Sequence, residues 1–123
     1  MTRPAKTPQK DVLPKYEALV IPTLDALKRL GGSATVDELD AAVSSSLGLT
    51  DKQLQIPHGR ESDARTELEY RLAWTRTILK TSGLVTNSSR GVWALVDAQL
   101  DLRSVDTRTV LRKHRAEYLS LRG

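Results

Sequence analysis

Apolar residues recur at helical spacing in three stretches of the chain, and a glycine follows each stretch. The first stretch covers residues 16–30 and stops at Gly31-Gly32. Pro22 interrupts it, and proline fits a regular helix best in the first turn, where its missing N–H costs nothing. The pattern therefore predicts a first helix whose regular part begins near Ile21.

A short extended segment and a second helix are predicted next. Residues 33–35 are long enough for only a single strand, which would add to a later hairpin. Thr35 and Glu38 have the spacing of a capping box, in which each side chain binds a free backbone N–H at a helix start. An apolar stripe follows, and residues 50–53 repeat the capping pattern, which predicts one further helical turn.

The third apolar stretch predicts a helix from Ala64 to Thr81, with Gly83 after it. Residues 84–86 and 92–96 then predict two strands, joined by a polar turn. Beyond the hairpin, the chain is predicted to form another helix from near Asp106.

This order of elements predicts an α+β, mainly α fold of the winged helix-turn-helix kind, with a three-helix core, a small antiparallel β-wing and a C-terminal helix. The polar, proline-containing residues 1–13 are predicted to be a flexible N-terminal tail. Residues 14–97 form the predicted winged-helix domain, and residues 98–123 a C-terminal linker or amphipathic helix. Because such folds mostly hold DNA, the pattern favours binding over chemistry.

Composition narrows the class of protein. A chain of 123 residues suits one domain with a modest core, and the absence of cysteine rules out disulfides and thiolate metal sites. His58 and His114 have no acid at ligand spacing, so we expect no metal site and a solvated His58. No apolar run approaches the roughly 20 residues that span a bilayer, and no secretory leader is evident. We therefore expect a cytoplasmic protein without membrane contacts.

Charge is unevenly distributed along the chain. The net charge is −4 over residues 16–51, but +2 over 52–99 and +3 over each of 1–15 and 100–123. A basic back half could present one face to a polyanion, or both halves could be ordinary solvated helix surfaces. Charge alone leaves these two interpretations open.

The sequence contains none of the common catalytic patterns. No Asp or Glu is followed two positions later by Lys, so the acid-x-Lys element of metal-dependent nucleases is missing. There is no phosphate-binding glycine loop, and neither histidine has the sequence context of a nucleophilic triad. We therefore predict a non-enzymatic chain that needs no cofactor.

The face of the third helix opposite its apolar stripe carries small and hydroxyl-bearing side chains that could approach DNA bases. Tyr70, Ala73 and Thr77 are the candidates for base-edge contacts. Phosphate contacts are expected from Arg65, Arg76, Lys80 and Arg90, although some cations of this helix should pair with Glu67 or Glu69 instead. Trp74 and Trp93 are expected in the core. The predicted DNA-binding residues are Arg65, Tyr70, Arg71, Ala73, Arg76, Thr77, Lys80, Asn87, Ser88, Ser89 and Arg90.

The third helix and wing also carry a family resemblance, over about residues 14–97. The residues that carry it are Arg71, Trp74, Leu79, Lys80, Gly83, Leu84, Arg90, Gly91 and Trp93. Their order resembles the signature in the N-terminal domain of Mrr-type restriction proteins. The resemblance implies a prokaryotic module that binds double-stranded DNA and, in full-length relatives, delivers a C-terminal nuclease to modified DNA.

This chain shows no nuclease domain, so restriction activity does not carry over, and recognition of methylated DNA is an expectation attached to the family. No aromatic cage for a flipped base is visible in the sequence. One alternative is a protein-interaction module that forms a homodimer through an exposed apolar strip of Val110, Leu111, Tyr118 and Leu119. The sequence also does not separate a restriction-system targeting module from a transcriptional regulator.

Overall fold

The structure is a computed structural model and describes residues 12–59 and 65–122. Most of the predicted N-terminal tail and part of the loop before the third long helix lie outside these residues. The described residues form five α-helices and three strands. The helices are α1 (Tyr16–Arg29), α2 (Val36–Ser46), α3 (Asp51–Leu54), α4 (Glu67–Thr81) and α5 (Thr107–Arg122). The strands are β1 (Ser33–Thr35), β2 (Val85–Ser89) and β3 (Val92–Leu95), and a 3₁₀ turn spans Leu102–Ser104.

Helix α1 begins at Tyr16 and holds Pro22 in its interior, so the predicted start near Ile21 was wrong. Leu19 and Val20, which precede the proline, are fully buried. Burying each of these side chains is worth about 1.5–3 kcal/mol, which together offsets the roughly 3 kcal/mol cost of an interior proline. The burial of Leu19 and Val20 therefore allows α1 to continue past Pro22.

Capping boxes start three of the helices. At α2, the Glu38 backbone N–H donates to Thr35 Oγ1 over 3.2 Å, and the Thr35 N–H donates to Glu38 Oε1 over 2.9 Å, as predicted. The pattern at residues 50–53 starts α3, also as predicted. A third box, Thr66 with Glu69, moves the start of α4 three residues past the predicted Ala64. The sequence shows this Thr-x-x-Glu spacing, so the start of α4 could have been predicted.

The sheet has the order β1-β3-β2 and is antiparallel, which confirms the predicted third strand. Strand β2 reaches Ser89, past the predicted end at residue 86, because its pairing with β3 shifts register between Thr86 and Ser89. The turn therefore lies at Arg90-Gly91, where Gly91 takes a φ of +74° that other residues rarely adopt.

The core lies between α1, α2, α4 and the sheet, and Val110 from α5 is also buried in it. Helix α5 packs on α1 and α4, so the segment predicted as a linker or amphipathic helix continues the same core. The result is an α+β winged-helix-like fold, as predicted. None of the described helices is both long and apolar enough to cross a membrane.

Candidate nucleic-acid interface

Helix α4 buries one face and leaves another open. Leu68, Leu72 and Leu79 are buried, whereas Thr77 and Lys80 are exposed. Helical geometry places Glu69, Ala73, Thr77 and Lys80 along the open side, which we call the open strip of α4. Predicted base-edge candidates Ala73 and Thr77 thus lie in the strip, with Tyr70 half-buried at its edge.

A stacked group lies at the N-terminal end of this strip. The rings of His58 and Tyr70 stack with centroids 3.6 Å apart, and the guanidinium carbon of Arg65 lies 5.3 Å from the Tyr70 ring centroid. The His58 backbone N–H donates to the Arg65 carbonyl over 3.1 Å, which joins the two residues shortly before α4 begins. Arg65 is exposed, as a phosphate contact requires.

The expectation of a solvated His58 was wrong. Its Nδ1 lies 2.9 Å from Oε1 of Glu67, a side chain that is only 8% exposed. The two residues are nine positions apart on either side of a loop, so their sequence spacing gave no sign of the contact.

Arg71 connects α4 to the residues that precede α1 through hydrogen bonds. Its Nε donates to Glu67 over 2.7 Å, and its Nη1 donates to the carbonyls of Leu13 and Pro14 over 3.0 and 2.9 Å. The expected pairing of some α4 cations with Glu67 is confirmed here. Arg71 was predicted to bind DNA, but these bonds engage its guanidinium inside the protein.

Arg76 was predicted to contact phosphate, but the structure places it in the interior, 8% exposed. Its Nη1 donates to Asp40 Oδ1 over 2.8 Å, and its guanidinium carbon lies 5.6 Å from the Trp93 ring centroid. Burial raises the pKa of Asp40 to about 6, outweighing the lowering by the positive charge of Arg76. Arg76 therefore joins α4 to α2 and the sheet, where a phosphate cannot reach it.

The hairpin presents its tip to solvent. Ser89 and Arg90 are exposed and Asn87 is half-buried, and Ser88 lies in β2. Arg90 has no ion-pair partner among residues 12–59 and 65–122. The tip thus offers a guanidinium next to the Gly91 turn, as predicted.

Helix α5 adds exposed cations that were not among the predicted DNA-binding residues. Arg108, Arg112 and Arg115 are exposed and lie on one flank, because they are four and three residues apart. Lys113 is exposed on another side of the helix. The Arg-x-x-x-Arg-x-x-Arg spacing could have indicated this flank.

A groove of about 520 Å³ lies between the start of α1, α4 and α5. We call it the aromatic groove after Tyr16, Tyr70, Trp74, His114 and Tyr118, which line it. The ring centroids of His114 lie 6.3 Å from Trp74 and 6.1 Å from Tyr118. Burial and the nearby Tyr70 raise the pKa of Tyr16. These rings come from three different helices, so their grouping is not visible in the sequence.

No cluster of His, Asp and Glu suited to a metal ion occurs within the described parts of the chain. Comparison with curated proteins and with solved structures gave no match. One family model does match, that of the Mrr N-terminal domain, over residues 16–103, and no catalytic domain matches. That span runs from α1 through the sheet to the 3₁₀ turn and covers more than half of the sequence, so the chain belongs to the Mrr N-terminal domain family.

Proposed function

We propose that this chain binds duplex DNA, with the open strip of α4 in the major groove and Arg90 on the backbone or in the minor groove. The observation that carries the proposal is the strip itself. Ala73, Thr77 and Lys80 lie outside the core, on the helix that directly precedes and contacts the hairpin. A winged-helix-like fold offers this helix to DNA in the same arrangement.

The chemistry of the strip suits base edges. Ala73 is small enough to let the helix backbone approach closely or to contact a thymine methyl. Thr77 Oγ1 donates to the Ala73 carbonyl over 3.2 Å, so its lone pairs can still accept from a base amine. The Tyr70 hydroxyl can donate or accept at the edge of the strip.

Exposed cations lie on the strip and on the elements that pack beside α4. Lys80 lies on it, Arg65 and Arg90 lie at its end and on the hairpin, and the α5 flank adds three arginines. Glu69 is exposed on the same strip and opposes them. Contacts between these cations and phosphates would release counterions, so affinity must fall as salt rises.

We assign binding alone to this chain. The matching domain is the N-terminal one. We propose that it acts as a DNA-targeting module of a restriction system, in the cytoplasm of a prokaryote. A preference for methylated DNA remains an expectation from the family. A dimer through α5 remains a prediction too, although the strip expected to form it is shorter. Val110 is buried in the chain's own core, which leaves Tyr118 and Leu119 exposed.

The proposal is tested by titrating a fluorescently labelled duplex at low salt. Lys80→Ala and Arg90→Ala should each weaken binding by about threefold to tenfold, as expected for the loss of one phosphate contact. Arg103→Ala is the matched control, because this 92% exposed arginine lies outside the interface. No binding by the wild type, or equal weakening by all three variants, would contradict the proposal.

A further inference from the structure

We infer that the aromatic groove takes a single DNA base that has left the duplex stack, an inference that rests on the proposed DNA binding. The groove is lined by all three tyrosines and one of the two tryptophans of a chain that has no phenylalanine. Four of the five tyrosine and tryptophan residues in the chain therefore line this one groove. Leucine and valine dominate the buried core, and of the four groove aromatics only Tyr16 packs against it.

Contacts between neighbouring rings fix their orientation at the edge of the groove. Trp74 meets His114 edge to face at an interplanar angle of 73°, and His114 lies nearly parallel to Tyr118 at 28°. Trp74 and His114 are half-buried, and Tyr118 is 44% exposed. Ring surface is therefore left for a ligand.

The shape and the polar groups fit a nucleotide. A volume of about 520 Å³ is in the range of small-molecule sites and exceeds what one base needs. Flat π-systems stack on tyrosine and tryptophan whatever the base, which is how enzymes and single-strand binders hold extruded bases. Lys15 and Arg115 also line the groove and can hold the flanking phosphates, while Glu17 can accept from an exocyclic amine.

The groove begins where the proposed DNA-facing strip ends. A neighbouring recess is lined by Arg65, Ala73 and Thr77, together with Tyr70 and Trp74, which also line the groove. These two rings form a shared wall between the recess and the groove. Only the Tyr70 and Trp74 rings would therefore separate the groove from a base that leaves a duplex bound on α4. The basic flank of α5 borders the groove at Arg115, where the displaced backbone would lie.

The test uses short duplexes that contain 2-aminopurine, whose fluorescence rises when it leaves the stack. One duplex pairs it with thymine, and the other places it in a mismatch, which lowers the cost of extrusion. We expect the wild type to bind the mismatched duplex about tenfold more tightly than the paired one. Binding should also change the fluorescence of the 2-aminopurine in the mismatched duplex. Tyr118→Ala and Trp74→Leu should lose this preference, while their affinity for the paired duplex stays within about twofold.

Two controls separate stacking from other causes. Tyr118→Phe keeps the ring and should keep the preference. Leu119→Ala removes a neighbouring apolar side chain that is 59% exposed and does not line the groove, and it should change nothing. If Trp74→Leu fails to fold by circular dichroism, the Tyr118 variants carry the test.

The outcomes distinguish this inference from the proposed function. Equal binding of both duplexes by the wild type, with 2-aminopurine fluorescence unchanged, overturns the base pocket and leaves DNA binding in place when Lys80→Ala still weakens it. An equal loss in Leu119→Ala and Tyr118→Ala also overturns the pocket, because it indicates a general apolar contact. Failure of the wild type to bind either duplex at low salt overturns both proposals.

Discussion

Arg76 of α4 and Asp40 of α2 form an ion pair in which Nη1 lies 2.8 Å from Oδ1, with both side chains mostly removed from solvent, at 10% and 20% exposure. The pair joins the two helices beneath the open strip of α4, and Trp93 of the sheet lies against the guanidinium. The Nε of Arg76 is buried and finds no hydrogen-bond partner in the described part of the chain. This arginine therefore holds the helices together, and its loss should affect stability before DNA binding.

The first prediction concerns pH. The pKa of Asp40 is raised from 3.8 to about 6 by burial, so the folded state holds this proton more tightly than the unfolded state does. Its contribution to stability is therefore complete below about pH 3.8 and is lost as the pH rises through 6. Relative to Asp40→Asn, the wild type should gain up to about 3 kcal/mol of unfolding free energy between pH 7 and pH 4. Urea unfolding of both proteins across this range measures the gain, and a difference that does not change with pH would contradict it.

The second prediction concerns Arg76. Arg76→Leu leaves the Asp40 carboxylate buried without its counter-charge and should destabilise the fold by about 3 kcal/mol at pH 7. The loss should shrink at pH 5, where Asp40 becomes neutral, and in the double variant with Asp40→Leu. The double variant lacks the positive charge of Arg76, and its DNA affinity should stay within about twofold of the wild type because Arg76 is buried. A tenfold loss of affinity in the folded double variant would instead restore Arg76 as a phosphate contact.

The third prediction concerns Arg71, which connects Glu67 to the carbonyls of Leu13 and Pro14. Arg71→Met keeps the apolar stem but removes three hydrogen bonds, so it should destabilise the protein by about 2–4 kcal/mol. Hydrogen exchange should rise first at the N-terminal end of α1. The exposed Arg108→Met is the matched control and should be nearly neutral in stability. Equal stability of the two variants would show that the anchor contributes little.

The fourth prediction separates base contacts from phosphate contacts. Thr77→Val has nearly the same shape but no hydroxyl, so it should change the preference among duplex sequences more than the mean affinity. Lys80→Ala should weaken binding to all sequences by a similar factor. A selection from a randomised duplex pool, read with each variant, measures both effects. An unchanged preference in Thr77→Val would remove this residue from the base-contact set.

Much of the fold could be predicted because its signals are local. The capping boxes at Thr35 and Thr50 lie within four residues, and β1 was expected from a three-residue segment before the second helix. Pro22 misled the prediction of α1 because its cost is local, whereas the burial that offsets it comes from residues far along the chain.

The site was harder to predict because the partners of its residues lie far away in the sequence. Arg76 looked like a free cation, since its partner Asp40 lies 36 positions earlier in the chain. The carbonyls that accept from Arg71 lie 58 and 57 positions away. The aromatic groove gathers residues from both ends and the middle of the sequence. Sequence spacing could therefore place the open strip of α4, but it could not show which of its neighbours were already paired.

The salt dependence of duplex binding by the wild type and Lys80→Ala tests DNA binding by α4 most directly. We expect the logarithm of affinity to fall linearly with the logarithm of salt concentration, and Lys80→Ala to reduce the slope by about one. Affinity that does not change between low and physiological salt, or a slope that Lys80→Ala leaves unaltered, would contradict the claim that the open strip of α4 faces DNA.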